Sequence, residues 1–453
     1  MEVTETLSDG LKREFQVKVP APDLEARVSQ RLDEIKGQVQ IRGFRPGKVP
    51  VAHLKKLYGR SMMAEAIEAV IREINSKIVE ERGLKLAMEP KVTLPEAETE
   101  VEKVIGGQSD LAYTVALEVL PKIELADFKG ITLERLATEV ADSEIEEALG
   151  KISEQNRPFA AKGEGAKVEK GDRVVVDFTG KLEGRPFDGG NGGDIGVNVG
   201  SNTFIPGFED QLIGMAAGEK RLVNVTFPTN YMNAELAGKE AEFDVTAKSV
   251  EAPGTVTVDD AFAKSLGMES LDKLKEAVKG RIQQEHAARS RQKLKRMLLD
   301  QLDAMHKFAL PPTLAEEEFK NVWSAVENDL KQQNRTFVDE GTTEEKAREE
   351  YRTIAERRVR LGLVLAEIGE KNNITVTEDE LSRAIVEQAR QFPGREQEIW
   401  DHYRKNPQAV ANVRAPLFEE KVVNFLVELA KVTDKAVSRE ELYKDDEDES
   451  PAA

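Results

Sequence analysis

The sequence predicts a multidomain α+β protein with three folded parts: an N-terminal α+β domain, an antiparallel β domain with a short helix, and a C-terminal domain of long helices. Its 453 residues exceed what a single hydrophobic core ordinarily holds. Fifteen of the 32 glycines fall between residues 163 and 238, and only six fall between residues 255 and 432. A turn-rich β segment therefore interrupts a mostly helical chain.

In the first part, apolar residues alternate along residues 15–19 and 111–119, which predicts two half-buried strands. Between these strands, residues 22–40 and 50–80 carry apolar side chains at spacings of three and four, which predicts two amphipathic helices. Residues 142–155 form a charged pattern typical of a connecting helix. The first part is therefore an α+β domain followed by a connector.

Long amphipathic patterns follow the β segment. They predict helices over residues 271–305, 312–333, 344–371, 378–391 and 416–432. Pro312 suits the first turn of a helix, and Thr377 with Glu380 forms a capping box. We expect most of the apolar stripes to pack as ordinary core and the rest to line an open cradle for unfolded segments.

Composition excludes several classes of function. The net charge of −19 disfavours general nucleic-acid binding, so any such binding must be local. The absence of cysteine excludes thiol catalysis and disulfides, and the four histidines lack metal-ligand spacing. No apolar run approaches the roughly 20 residues that span a bilayer, and the N-terminus is acidic. We expect a cytoplasmic protein with no metal, no cofactor and no membrane partner.

One loop reverses the sign of the local charge. No Asp or Glu occurs between Gly37 and Ala64, and this window contains the string G-F-R-P-G-K-V-P at residues 43–50. Its glycines and prolines favour a projecting tip that presents Phe44 beside Arg45, a pair suited to a mixed surface of RNA phosphate and protein. The alternative is a solvated basic loop whose phenylalanine packs into its own domain.

The glycine-rich segment carries four characteristic strings. They read D-R-V-V-V-D-F-T-G-K-L-E-G-R-P-F-D at 172–188, I-G-V-N-V-G-S-N-T-F-I-P-G-F-E-D-Q-L-I-G-M at 195–215, F-P-T-N-Y at 227–231 and A-E-F-D-V at 241–245. In this order they resemble the FKBP family of prolyl isomerases, which implies an FKBP-like antiparallel β domain. The alternative is that the aromatic side chains only fill a small β core.

The FKBP resemblance implies a cup that binds a prolyl ring. Its members would be Phe178, Phe187, Asp188, Ile195, Phe204, Ile205, Phe208, Tyr231 and Phe243. The resemblance also implies that the backbone N–H of Ile205 donates to the substrate carbonyl, with Asp188 and Tyr231 making polar contacts at the rim. Position 208 is Phe where many FKBPs have Trp, and position 178 is Phe where Tyr is common, so two polar groups are absent here.

The order of the parts resembles the trigger factor family of ribosome-associated chaperones. This resemblance implies docking at the large ribosomal subunit near the polypeptide exit, on protein and rRNA, through Gly43, Phe44, Arg45, Pro46, Gly47 and Lys48. Some family members have a further basic residue where this chain has Pro46. Nascent and unfolded polypeptides are the implied clients. The sequence leaves open whether a weak homodimer forms off the ribosome.

These patterns give five predicted regions. They are a ribosome-binding α+β domain at 1–112, a connecting strand and helix at 113–160, an FKBP-like isomerase domain at 161–250, a helical chaperone domain at 251–432 and a disordered acidic tail at 433–453. Two alternatives stay open, namely a free cytosolic isomerase without ribosome docking and a module that binds prolyl peptides without catalysis.

Overall fold

The fold is taken from a computed structural model of the chain. It describes residues 1–35, 44, 49–95, 98–163, 165–182, 184–228, 231, 233, 236–333, 335–392 and 394–444. The chain divides into two compact units, the first made of residues 1–135 with 293–433 and the second of residues 136–292 with 434–444.

The first unit contains a four-stranded antiparallel sheet in the order β1-β2-β4-β3. The elements of this half are β1 Glu2–Asp9, β2 Lys12–Val19, α1 Ala21–Ile35, α2 Val51–Glu81, β3 Lys91–Thr93, α3 Glu98–Ile105, β4 Leu111–Glu118, a 3₁₀ turn Phe128–Gly130 and β5 Thr132–Ala137. The two predicted strands and two predicted helices are present, and residues 36–40 of the first predicted helix lie outside the described residues. Residues 113–118 belong to this sheet and not to the predicted connector.

Burial explains which strands the sequence revealed. Phe15, Val17 and Val19 of β2 are buried and alternate with exposed residues, as the pattern indicated. In contrast, β1 has no buried residue, so it carries no apolar alternation to detect. It pairs with β2 through its backbone. An edge strand of this kind is held by hydrogen bonds and adds little to the core.

Helices make up most of the rest of the first unit. They are the end of α7 Leu271–Met305, α8 Pro312–Gln333, α9 Glu344–Lys371, α10 Glu378–Arg390, α11 Glu396–Lys405 and α12 Pro407–Leu429. The predicted bounds of α7, α8 and α9 are confirmed, and Thr377 with Glu380 forms the predicted capping box. The apolar patterns of the sequence do not predict α11.

The predicted start of the last long helix at residue 416 is wrong, because α12 begins at Pro407. The Asn406 side chain accepts the backbone N–H groups of Gln408 and Ala409, and Pro407 occupies the first turn, where its missing N–H costs nothing. Pro416 lies inside the helix. The well-capped start lies nine residues before the predicted one.

The second unit is built on a five-stranded antiparallel sheet in the order β6-β10-β7-β8, with β9 also paired to β10. Its elements are α4 Asp142–Gln155, β6 Phe159–Ala161, β7 Arg173–Leu182, β8 Arg185–Asn198, α5 Phe208–Leu212, β9 Lys220–Thr226, β10 Glu240–Pro253, α6 Asp260–Ser265, the start of α7, and α13 Arg439–Tyr443. The predicted connecting helix and the predicted short helix are both confirmed. Alternate residues of the strands are buried, among them Val174, Val176, Val223 and Val225.

The chain after α12 differs from our prediction of disorder over residues 433–453. Residues 431–436 form β11, which pairs with β5, and residues 439–443 form α13, whose Leu442 is fully buried. Residues 445–453 lie outside the described residues. A buried leucine and a backbone pairing order this short segment in spite of its charge.

In the part of the chain that the structure describes, no helix is both long enough and apolar enough to cross a membrane.

A matched pair of glycines in α9 tests the packing of the helices in the first unit. An added Cβ at Gly369 would lie 2.7 Å from Cε2 of Phe418, whereas at Gly362 it would meet no atom of the described chain within 4 Å. We expect Gly362→Ala to stabilise the protein by up to about 1 kcal/mol through helix propensity. Gly369→Ala should destabilise it by about 1–3 kcal/mol, because overpacking outweighs that gain. Urea unfolding of the full chain measures both.

The double variant Gly369→Ala, Phe418→Leu is the control for the steric cause. Removing the ring should recover most of the loss caused by the alanine. Equal effects of Gly362→Ala and Gly369→Ala would contradict the packing described here.

Candidate functional site

A cavity of about 340 Å³ lies in the second unit among residues of β7, β8 and β10 and the segment that leads into α5. Its lining consists of Phe178, Phe187, Gly189, Thr203, Phe204, Ile205, Pro206, Phe208, Phe227, Pro228, Tyr231 and Phe243. Of these described residues, only Thr203 and Tyr231 have polar side-chain atoms. The cavity is therefore an apolar cup with a polar group at two points of its wall.

The rings of the cup support one another edge to face. Phe208 is 2% exposed, and its ring centroid lies 5.5 Å from that of Phe243 and 6.1 Å from that of Phe178 in T-shaped geometry. Phe204 stacks on Phe208 at 5.5 Å with an interplanar angle of 17°. These offset and edge contacts suit the ring quadrupoles, and they hold the wall rigid without hydrogen bonds.

Glycines opposite the rings make this packing possible. Phe243 of β10 pairs with Gly180 of β7, and Phe178 of β7 pairs with Gly192 of β8. A Cβ at Gly180 would lie 2.7 Å from Cε1 of Phe243, and a Cβ at Gly192 would lie 2.7 Å from Cζ of Phe178. Each ring thus lies directly over the backbone of the neighbouring strand, at a position where only glycine fits.

Tyr231 stands at the exposed side of the cup. It is 40% exposed, and its ring centroid lies 4.7 Å from that of the buried Phe227. Phe227 in turn meets Phe187 edge to face at 6.0 Å. Three aromatic rings in contact therefore lead from the surface into the wall of the cup. The outermost, that of the tyrosine, is partly accessible to a ligand.

The segment that precedes α5 wraps around the carboxylate of Glu209, which is 5% exposed. Backbone N–H groups of Gly200, Asn202, Thr203 and Phe204 donate to this carboxylate at 2.8 to 3.1 Å. Burial alone would raise the pKa of Glu209, but the backbone donors outweigh it and lower the pKa. The group is therefore ionised at neutral pH.

The structure brings together seven of the nine residues predicted for the cup: Phe178, Phe187, Phe204, Ile205, Phe208, Tyr231 and Phe243. Ile195 packs against the core of the unit but does not line the cavity. The side chain of Asp188 lies outside the described part of the chain.

Sequence reasoning missed five lining residues, namely Gly189, Thr203, Pro206, Phe227 and Pro228. Phe227 and Pro228 stand in the string that had pointed to Tyr231, and Thr203 and Pro206 flank the predicted Phe204 and Ile205. Their position next to predicted members was the available signal.

Phe44 is the one residue of the predicted docking loop that the structure describes. It is 39% exposed, and its ring centroid lies 5.2 Å from that of His53 at the start of α2. Gly43, Arg45, Pro46, Gly47 and Lys48 lie outside the described residues. Two other cations of the basic window have partners, since Lys55 pairs with Glu25 at 3.0 Å and Arg60 with Glu102 at 3.3 Å.

Among the described residues, no three His, Asp or Glu side chains are grouped so that they could hold a metal ion.

Comparison with known families agrees with this layout. Residues 1–152 match the family model of bacterial trigger factor protein, residues 270–428 match the model of its C-terminus, and residues 164–248 match the FKBP-type peptidyl-prolyl cis-trans isomerase model. The trigger factor of Azorhizobium caulinodans is 62% identical over 450 residues, which cover 99% of this chain and 100% of the relative. That of Xanthobacter autotrophicus is 60% identical over 453 residues and covers 100% of both chains.

A solved structure of a trigger factor chaperone, studied for promiscuous substrate recognition in folding and assembly activities, has the same fold. It aligns with a TM-score of 0.53 at 19% identity and covers 94% of this chain and 99% of the other. From the full-length identity and the matched models, the chain belongs to the trigger factor family, as a chaperone with an FKBP-type peptidyl-prolyl cis-trans isomerase domain in its middle.

Proposed function

We propose that this chain works in the cytoplasm beside the polypeptide exit of the large ribosomal subunit, where it binds nascent polypeptides and rotates X-Pro peptide bonds in its aromatic cup. The observation that carries the isomerase site is the apolar cavity of about 340 Å³. This volume lies near the lower end of the roughly 300–1,000 Å³ range of small-ligand sites. It suits a single prolyl ring with its flanking backbone.

The cup contains what rotation of a peptide bond needs. The barrier to rotation, about 18–20 kcal/mol, comes from amide resonance. Resonance is strongest in the planar form of the bond and makes that form polar. An apolar wall removes water from the imide and so disfavours the polar planar form, while rigid rings favour the twisted geometry. The reaction moves no proton, which agrees with a described lining whose one titratable side chain is Tyr231.

Two polar groups would orient the substrate. Ile205 lines the cavity, and no acceptor among the described residues takes its backbone N–H, so this donor is available to the carbonyl of the residue before proline. Tyr231, partly exposed at the opening, would donate its hydroxyl to a flanking carbonyl. We assign Asp188 to the rim as well, from the FKBP resemblance.

Client binding requires apolar surface outside the cup. Among the helices of the first unit and their connections, Val338 is 78% exposed, Phe392 is 53% exposed and Trp400 is 38% exposed. Phe392 also lines a groove between α10 and α11 with Ile399 and Tyr403. Separate apolar contacts of this size would hold an unfolded segment weakly and release it.

Ribosome docking would use residues 43–48. Phe44 keeps 39% of its surface exposed, which supports a role in contact with a partner. The chain as a whole has a net charge of −19, so its approach to rRNA depends on the few cations of this window. Affinity should therefore fall as salt rises.

Phe204→Ala should reduce kcat/KM for a short prolyl peptide by about ten- to hundred-fold, because it removes one wall and the burial of one phenylalanine is worth about 1.5–3 kcal/mol. A protease-coupled assay measures it. Ile213→Ala, an exposed apolar residue of the same unit outside the cup, is the control and should keep full activity. Peptide binding without any acceleration by the wild type would instead indicate a binding module.

Phe44→Ala with Arg45→Ala should abolish co-sedimentation with ribosomes, and the wild type should pellet less as salt increases. The matched control, Val338→Ala with Lys320→Ala, removes one exposed apolar residue and one exposed cation from the same unit and should pellet normally. If the wild type stays in the supernatant at low salt, the chain is a free isomerase and chaperone.

Phe392→Ser with Trp400→Ser should weaken suppression of aggregation of a denatured client by several-fold, because two exposed aromatic contacts are lost. Rotation of a short prolyl peptide should stay unchanged. Ile213→Ser with Leu222→Ser, which are 42% and 49% exposed in the β domain, is the matched control. Equal loss in both pairs would show that total exposed apolar area, rather than the α10–α11 surface, determines client binding.

A further inference from the structure

We infer that Glu209 is a positioning residue of the isomerase, whose buried carboxylate fixes where Phe204 and Ile205 stand in the cup. The inference rests on the prolyl site proposed above. Glu209 does not line the cavity, so its action would be through the segment that it binds.

Both carboxylate oxygens are occupied by the same short segment. Oε2 accepts the backbone N–H of Gly200 at 2.8 Å and of Asn202 at 3.0 Å. Oε1 accepts the backbone N–H of Thr203 at 2.8 Å and of Phe204 at 3.1 Å. The Ser201 hydroxyl donates to Oε1 at 3.1 Å. One side chain thus satisfies almost every donor of residues 200–204.

The segment adopts a backbone shape that depends on an acceptor at its centre. Gly200 has φ +94° and Asn202 has φ +55°, both in the left-handed region. These turns direct successive N–H groups inward, as in the concave backbone arrangements that bind anions. Without the carboxylate, the four backbone N–H groups that it accepts would lose the acceptor of these partly buried hydrogen bonds. A different loop conformation would then be favoured.

The segment that Glu209 holds continues directly into the cup. Phe204, the last of the bound donors, stacks on Phe208, the residue before Glu209. The backbone N–H of Phe208 donates to the carbonyl of Ile205 at 2.9 Å. The carboxylate therefore anchors residue 204 to the start of α5 and leaves little freedom for the Ile205 N–H between them. Small displacements of such a donor strongly reduce its effect on a transition state.

The positioning role of Glu209 depends on its negative charge. A neutral glutamine has the same shape, but its NH₂ group would face backbone N–H donors and accept nothing. Because the pKa of Glu209 is lowered in the folded protein, its contribution is present above the ordinary carboxyl pKa and is lost as pH falls through the lowered value. Neutral pH therefore keeps the segment bound.

The test is Glu209→Gln in the full chain, compared with Asp210→Asn, which removes the same charge from the next, exposed position of α5. Rotation of a short prolyl peptide is followed by NMR exchange at a temperature where circular dichroism shows both variants folded. We expect Glu209→Gln to lower kcat by about ten-fold or more with a smaller change in KM, and Asp210→Asn to match the wild type. Amide exchange at residues 200, 202 and 203 should accelerate only in Glu209→Gln.

A pH series gives a second readout that a purely structural role would not produce. While the wild type remains folded, its activity should stay level through the usual carboxyl range and fall only below that range, where the pH passes through the lowered pKa of Glu209. Glu209→Gln should show no such step. Full activity of Glu209→Gln, with a wild type that isomerises, would overturn the positioning role alone. A wild type that does not isomerise, or a Phe204→Ala variant that is unimpaired, would instead contradict the proposed cup.

Discussion

The cup of the β domain depends on the pairing of two of its aromatic rings with glycines on neighbouring strands. Gly180 opposes Phe243 and Gly192 opposes Phe178, so each of these two rings occupies the space that the Cβ of any other residue would need. This arrangement places a wide apolar surface on a small sheet and leaves a cavity in front of it. A core packed with aliphatic residues in these positions would close the space. The glycines are therefore as necessary to the cup as the rings.

The two binding tasks proposed for the chain impose opposite physical requirements. Rotation of a prolyl bond needs rings fixed in place, and Phe208 achieves this with edge or stacking contacts to three other rings. Holding unfolded chains needs adaptable contacts of low affinity, which single exposed residues such as Val338 and Phe392 can provide. Placing the tasks in separate parts of the chain avoids a compromise between rigidity and adaptability.

Sequence patterns predicted the bounds of α7, α8 and α9 closely, because apolar side chains recur at helical spacing in each of these helices. They failed where stability comes from elsewhere. Strand β1 is held by backbone pairing, α11 has no buried residue, and α13 buries only Leu442. In these elements periodicity carries no information, since few side chains enter a core. The resemblance to known families, rather than periodicity, located the cup.

Glu209 shows why the support of a site is harder to predict than its lining. In the string G-F-E-D-Q-L it looks like one of two solvated acidic residues at a helix start, yet it is 5% exposed while Asp210 is exposed. What distinguishes the two is the preceding segment, whose Gly200 and Asn202 allow positive φ and so direct several N–H groups to one point. A carboxylate after such a segment has donors in place before any ligand arrives. The cup is then preorganised by a charge that the substrate never touches.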